Sequence, residues 1–89
     1  MSKETLKLAV SYSNASIVIE RSVNIFHGVN GIRSSLDDMR ESMKSCGIVI
    51  DDQLDSYDTV LRNLEKLLQK IEDDARQEAI VLRYKLKAQ

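Results

Sequence analysis

The stretch Cys46-Gly47-Ile48-Val49-Ile50-Asp51-Asp52 (residues 46–52) decides the fold, because it separates two long runs of helical periodicity. Gly47 is the natural left-handed residue to end a first helix, and Ile48 would then pack back on its last turn. Asp51 or Asp52 can cap a second helix at its N-terminus. The apolar residues 48–50 have no second strand to pair with, so we interpret them as a loop that plugs the end of a hairpin.

Apolar residues on both sides of this stretch recur at alternating steps of three and four, the pattern of long amphipathic helices. The predicted seam of the first helix consists of Leu8, Ser11, Ala15, Val18, Ser22, Ile25, Val29, Ile32, Leu36, Met39, Met43 and Cys46. The predicted seam of the second helix consists of Tyr57, Leu61, Leu64, Leu68, Ile71, Ala75, Glu78 and Leu82, where Ala79 can substitute for Glu78. We therefore predict an all-α fold, an antiparallel two-helix hairpin with helices at about 3–45 and 52–87, as one domain over residues 1–89.

Two glycines, Gly28 and Gly31, lie in the middle of the first predicted helix. Each is about 1 kcal/mol less favourable than alanine in a helix interior. Two interpretations remain open from the residues alone. The segment is either a local kink or loosening of the helix, or a place where another backbone approaches closely.

The chain has more apolar residues than one hairpin seam can bury. Beside the first seam, a second stripe follows Ala9, Tyr12, Ser16, Ile19, Val23 and Phe26, and it turns polar at Asn30. The second helix adds an apolar run at residues 79–82, which an antiparallel hairpin brings to the same open end. An exposed apolar patch on a small protein usually marks an interface. The predicted partner-binding residues are Ala9, Tyr12, Ile19, Val23, Phe26, Asn30, Ile80 and Val81.

Composition excludes several classes of protein. The chain has 89 residues with formal net charge -1, one cysteine and one histidine, so neither a disulfide framework nor a zinc cluster can be built. Neither half is strongly basic and aromatic residues are few, which argues against nucleic-acid binding. The apolar runs are too short for membrane insertion. The first residues are not followed by an apolar segment, so no Sec signal peptide is predicted.

The sequence offers little for catalysis. His27 has no serine or cysteine nucleophile at a helical spacing that would let the two act together. Cys46 continues the first seam and is interpreted as a small hydrophobic residue. Adjacent acids such as Asp37 and Asp38 diverge by about 100° around a helix and cannot form a dyad. We therefore predict no enzyme activity, no catalytic residues, no cofactor and no metal; a sensor role for His27 is a distant alternative.

A helical hairpin of just under a hundred residues with a short central turn resembles the WXG100 superfamily of type VII secretion. The family's Trp-x-Gly turn is replaced by Cys46-Gly47, and the export motif Tyr-x-x-x-Asp/Glu, starting at Tyr84, would meet Ala88. The chain is more similar to the small helical accessory proteins of LXG toxins in Gram-positive bacteria. Some of those carry Phe-x-x-x-Asp, where this chain has Phe26 and Asn30.

This resemblance implies a targeting chaperone that binds the helical N-terminal domain of an LXG toxin, together with a second small helical protein in some systems. It implies no catalytic residues. The expected location is the cytoplasm, with export by a type VII system as the other option. The alternative function is a structural homo-oligomer, in which two copies of the hairpin form a helical bundle or adaptor.

Overall fold

The computed structural model describes residues 2–49 and 51–89, which form two helices in an all-α hairpin. Helix α1 covers Lys3–Ser45 and helix α2 covers Asp51–Lys87. These bounds agree with the predicted 3–45 and 52–87, and the described residues include no strand. The strong helical periodicity and the absence of proline explain why each helix runs unbroken.

The two ends of α1 are capped by specific hydrogen bonds. The Ser2 side chain accepts a hydrogen bond from the Thr5 backbone N–H at 3.1 Å, which satisfies one free donor of the first turn. At the other end Gly47 has a φ of +76°. Its N–H donates to the Lys44 carbonyl at 3.2 Å, and the Ile48 N–H donates to the Met43 carbonyl at 2.9 Å. This pair of bonds is a Schellman motif, so the predicted role of Gly47 is confirmed.

The connection after Gly47 differs from the prediction. Ile48 is half exposed and Val49 is 81% exposed, so these two residues do not plug the end of the hairpin. Only the backbone of Ile48 is held against the last turn of α1, through its bond to the Met43 carbonyl. Helix α2 begins at Asp51, so Asp52 lies inside the helix and its predicted N-cap role is wrong. Ile50 and the Asp51 side chain lie outside the described residues, so capping by Asp51 stays a prediction.

Replacing Gly47 or Gly31 by alanine should change the free energy of unfolding in opposite directions. Gly47→Ala places a Cβ on a left-handed residue and should lower the free energy of unfolding by about 1 kcal/mol. Gly31→Ala should raise it by about 0.5–1 kcal/mol, because Gly31 is an exposed helical residue and an added Cβ would meet no atom within 4 Å. Urea unfolding followed by circular dichroism measures both. Equal effects of the two variants would contradict the turn geometry.

The helices are antiparallel and form a rod of 67 × 15 × 15 Å. Thr5 contacts Gln89 at the open end, Arg33 contacts Glu65 in the middle, and Arg40 contacts Asp55 near the turn. The radius of gyration is 20.0 Å, against about 12 Å for a compact domain of this length. The buried apolar residues are Leu8, Val29, Leu54, Leu61, Leu68 and Leu82. The core is therefore a thin line of side chains between two coiled-coil-like helices.

The faces that meet differ in part from the predicted seams. Leu8, Ser22, Val29, Leu61, Leu68 and Leu82 are buried as predicted, and Ala79 is less exposed than Glu78. Other predicted seam residues are exposed: Val18, Ile25, Ile32, Met39, Cys46, Tyr57 and Ile71. Their places between the helices are taken by Tyr12, Ile19, Phe26, Arg33 and Arg40 of α1, and by Asp58, Glu65 and Glu72 of α2. Each helix is thus rotated about its axis relative to the prediction.

The physical reason for this rotation is the order of apolar and charged side chains along α1. In the open half of α1 the side chains of Tyr12, Ile19 and Phe26 turn toward α2 and become half-buried. One continuous helix keeps that face along its length, so Arg33 and Arg40 also turn toward α2. There they form ion pairs with acidic residues of α2.

Candidate docking surface

An apolar groove lies between the helices in the half of the rod nearest the turn. It has a volume of about 340 Å³ and is lined by Ile32, Leu36, Met39, Tyr57, Val60 and Leu61. Ile32 is 53% exposed and Val60 is 62% exposed. Leu61, at 8% exposed, belongs to the buried core and forms the floor. The groove therefore presents apolar walls to solvent above a packed base.

The same face continues along the rod beyond the groove. Ile25 lies seven residues before Ile32 and Ile71 lies fourteen after Tyr57, so heptad spacing puts them in the same rows. Leu67 lies in the row of Val60 and is exposed. We call this set the groove surface: Ile25, Ile32, Met39, Tyr57, Val60, Leu67 and Ile71. Its members are all exposed large apolar side chains.

The opposite face of the hairpin carries ion pairs between the helices. Arg33 Nη1 lies 2.8 Å from Glu65 Oε1, and Arg33 Nε lies 3.6 Å from Asp58 Oδ1. Arg40 Nη2 donates to Asp55 Oδ1 at 3.1 Å. These pairs are partly exposed, and such pairs contribute modestly to stability. They accompany the rotation that turns Tyr12, Ile19 and Phe26 toward α2, because the same face of α1 carries Arg33 and Arg40.

The groove surface and the ion pairs have one geometric cause. Side chains on the two flanks of a helical interface point to opposite sides of a two-helix layer. Turning Arg33 and Arg40 toward the acids of α2 turns Ile25, Ile32 and Met39 out on the other side. A hairpin has no third element to cover them. An apolar face of this extent on a small chain is typical of an interface with a helical partner.

The residues predicted to bind a partner lie in several environments. Ala9, Tyr12, Ile19, Val23 and Phe26 are half-buried, and Phe26 packs against the core formed by Val29, Leu61 and Leu68. Asn30, Ile80 and Val81 are exposed. Much of the predicted second stripe therefore contributes to contacts inside the hairpin. The role of these residues toward a partner stays a prediction.

The sequence pattern predicts most of the groove surface as part of the hairpin seam. Counting apolar residues favours rows such as Ile25, Ile32 and Met39 for the seam, because they are more hydrophobic than Arg33 and Arg40. Charge is the sequence signal that separates the row of Ile32 from the row of Arg33. Arg33 and Arg40 are spaced to face Asp55, Asp58 and Glu65 once the helices are aligned about the turn.

A second opening lies on α2 at the open end of the rod. It has a volume of about 270 Å³ and is lined by Ile80, Arg83, Tyr84 and Lys87. These residues lie in the last turns of α2, where cations are favoured by the helix dipole. Of the predicted partner-binding residues, Ile80 lines this opening and is half exposed.

The residues considered for catalysis or metal binding lie at exposed positions. His27 is exposed on α1. Cys46 is a free, exposed thiol that donates to the Ser42 carbonyl at 3.2 Å, so its predicted place in the seam is wrong. It lies in the turn after α1 ends, beyond the reach of the seam. Within residues 2–49 and 51–89, no three His, Cys, Asp or Glu side chains are grouped to hold a metal ion.

The glycine segment is part of the helix. Gly28 and Gly31 lie inside α1, which continues through both without interruption. A Cβ added at either would meet no atom within 4 Å. Close approach of another backbone within the described part of the chain is therefore excluded at these positions.

Among the described residues, neither helix is long and apolar enough to cross a bilayer. No protein-family model matches the chain, and no curated protein or solved structure is significantly similar to it. The resemblance to accessory proteins of LXG toxins therefore stays a prediction.

Proposed function

We propose that this protein is a non-enzymatic interaction protein, a targeting chaperone that binds the helical N-terminal domain of an LXG toxin destined for type VII secretion. The observation that carries the proposal is the groove surface. Its walls are apolar and exposed, and its width is set by two adjacent helices, which suits the apolar stripe of a third helix. The likeness of the chain to LXG accessory proteins supplies the identity of the partner.

The amount of exposed surface is sufficient for a partner. The accessible surface is 6770 Å², whereas a compact monomer of 10.1 kDa would expose about 5,300 Å². The excess is about 1,500 Å², and a stable interface buries about 800 Å² on each partner. The hairpin thus has enough unburied surface for one full interface, and chains this short commonly depend on association.

The test is direct binding to the helical N-terminal domain of an LXG toxin of a type VII secretion system. A fluorophore on Cys46, which is exposed and lies outside both helices, reports binding by anisotropy. We expect a dissociation constant of about 1 μM or lower. The matched control is an unrelated helical hairpin of similar length. Absence of binding at about 100 μM, with the protein helical and monomeric, would refute the proposal.

The second candidate function is a homo-oligomeric helical bundle. The same excess of accessible surface favours it, because two copies could cover each other's groove surface in a four-helix arrangement. Light scattering on the isolated protein separates the two functions. A stable species of twice 10.1 kDa that does not bind toxin domains would support the bundle.

A further inference from the structure

Two heptad rows of side chains border the groove on each helix, an inner row beside the seam and an outer row farther from it. On α1 an inner row of large apolar residues lies beside an outer row of small ones: Ile25, Ile32 and Met39 beside Gly28, Ser35 and Ser42. On α2 both rows are mostly large and apolar: Tyr57, Leu64 and Ile71 beside Gln53, Val60 and Leu67. None of these residues is charged, so the groove presents two rims of unequal height.

Contacts between the helices fix which residues lie at the same height along the rod. Arg40 meets Asp55 and Thr5 meets Gln89, so the numbers of two residues at one height add up to about 95. A two-fold axis parallel to the rod keeps these heights and places α1 of one copy against α2 of a second copy. The two turns then lie at the same end of a four-helix bundle.

In this arrangement the rows of the two copies are complementary in size. The inner rows meet as three apolar pairs: Ile25 with Ile71, Ile32 with Leu64, and Met39 with Tyr57. In the outer rows Gly28 of one copy lies opposite Leu67 of the other. Ser35 lies opposite Val60 in the same way, so each large side chain faces a small one. A Cβ added at Gly28 meets no atom within 4 Å in the single hairpin, so the space for Leu67 is open.

The outer rows also end in opposite charges. Arg21 lies one heptad from Gly28 toward the open end of the rod. Asp74 follows Leu67 in the same direction, so Arg21 of one copy lies opposite Asp74 of the other. In the described part of the chain Arg21 forms no ion pair, and Asp74 pairs with the exposed Lys70 of its own helix at 3.2 Å. An exposed pair of this kind exchanges at little cost in free energy.

The reverse arrangement, with antiparallel rods centred on the groove, lacks this complementarity. It places α1 on α1 and α2 on α2. Gly28 would face Ser35, which leaves a gap between small residues. Val60 would face Leu67, which crowds two large residues. Arg21 would face an uncharged side chain.

We propose that the groove surface binds a second copy of this chain, in a dimer of parallel rods in which α1 of each copy packs against α2 of the other. The accessible surface in excess of a compact monomer, about 1,500 Å², exceeds the area of about 800 Å² that each copy buries in a stable dimer. This inference goes beyond the proposed function, because it states what covers the groove before a toxin domain binds.

Charge at the open end limits the affinity of this dimer. Parallel rods bring two open ends side by side, and each carries an excess of cations: Lys3, Lys7, Arg83, Lys85 and Lys87 against Glu4. The acids at 37–41 and 52–58 fall outside the four rows of the groove. We therefore expect reversible association, with single hairpins at about 1 μM and dimers at about 100 μM. Unfolding measured at the lower concentration then reports on the single hairpin.

The first test is the mass and the geometry of the free protein under reducing conditions. Sedimentation equilibrium should show a change from 10.1 kDa to twice that mass between about 1 and 500 μM. Spin labels on Cys46, which is exposed in the turn, should lie within about 25 Å of each other, two helix diameters. In antiparallel rods centred on Ile32 the two labels would be about 42 Å apart.

Two glycine variants provide a matched pair. Gly28→Gln places a side chain against Leu67 of the second copy and should weaken the dimer by about tenfold or more. Gly31→Gln adds the same atoms to the outer face of α1 and should change the dissociation constant by less than about twofold. Both variants gain helix propensity, so neither should unfold the hairpin.

Charge reversal tests the pairing between copies. Arg21→Asp and Asp74→Arg should each weaken the dimer by about fivefold, since every dimer contains two such pairs. The double variant should recover the affinity to within about twofold of the wild type. Failure of the double variant to recover would contradict the parallel arrangement.

Three further results would overturn the proposal. They are a mass that stays at 10.1 kDa up to about 500 μM, a Cys46 separation near 42 Å, and equal effects of the two glycine variants. None of these measurements contains a toxin domain, so the dimer can fail while toxin binding stands. Toxin binding can likewise fail while the dimer stands.

Discussion

Leu61→Ala is expected to lower the free energy of unfolding by about 2–4 kcal/mol, which is much of the stability of a small hairpin. Leu61 is 8% exposed and packs with Val29 and Leu68 in the core. Truncation to alanine removes these contacts and leaves a cavity. Because the core is a single line of side chains, no second layer compensates. Urea unfolding followed by circular dichroism at 222 nm measures the loss.

The matched control for this prediction is Leu67→Ala. It deletes the same atoms from the same helix, but Leu67 is 54% exposed and belongs to the groove surface. We expect its effect on unfolding to stay within about 0.5–1 kcal/mol. Similar losses for the two variants would mean that Leu67 is covered, by a second copy or by another rotation of α2.

The double variant Ile32→Glu, Val60→Glu should weaken binding of the toxin domain by about 100-fold or more while leaving the hairpin folded. Both side chains are exposed walls of the groove, so the carboxylates remain hydrated in the free protein. On binding they would be buried against an apolar stripe without partners, which costs several kcal/mol. Fluorescence anisotropy with the Cys46 label measures affinity, and circular dichroism measures helicity.

The control variant for the groove is Ser34→Glu, Asn63→Glu. It adds the same charge to the same two helices at exposed positions outside the groove surface. Affinity should then change by less than about threefold. If the groove variant binds like the wild type, the contact surface lies elsewhere. The predicted residues Ile80 and Val81 at the open end would be the next to test.

Much of the fold could be predicted because its determinants are local. The alternating steps of three and four residues predicted both helices, and Gly47 predicted the end of α1. The axial rotation of the helices was not predictable in the same way. Ile32 and Arg33 are neighbours in the chain, and either can face α2. The choice depends on contacts with α2, including those with Asp58 and Glu65, which lie more than twenty residues away.

The candidate docking surface was likewise predictable only in part. Surplus apolar surface was predicted from composition, and the structure does expose large apolar side chains. Its position was predicted at the open end, around Tyr12, Ile19 and Phe26. The structure half-buries these three and places the apolar groove nearer the turn. Hydrophobicity alone favours the stripe predicted for the seam, whereas the observed rotation brings Arg33 and Arg40 to acidic residues of α2.

The amino-acid sequence by itself determined two unbroken helices, the turn between them, their antiparallel arrangement and an excess of apolar residues. These properties depend on periodicity and on the conformational preferences of single residues. Only the tertiary structure decided which rows of side chains meet and where the groove lies. Those properties depend on pairs such as Arg33 with Glu65, which are far apart in the chain and which only folding brings together.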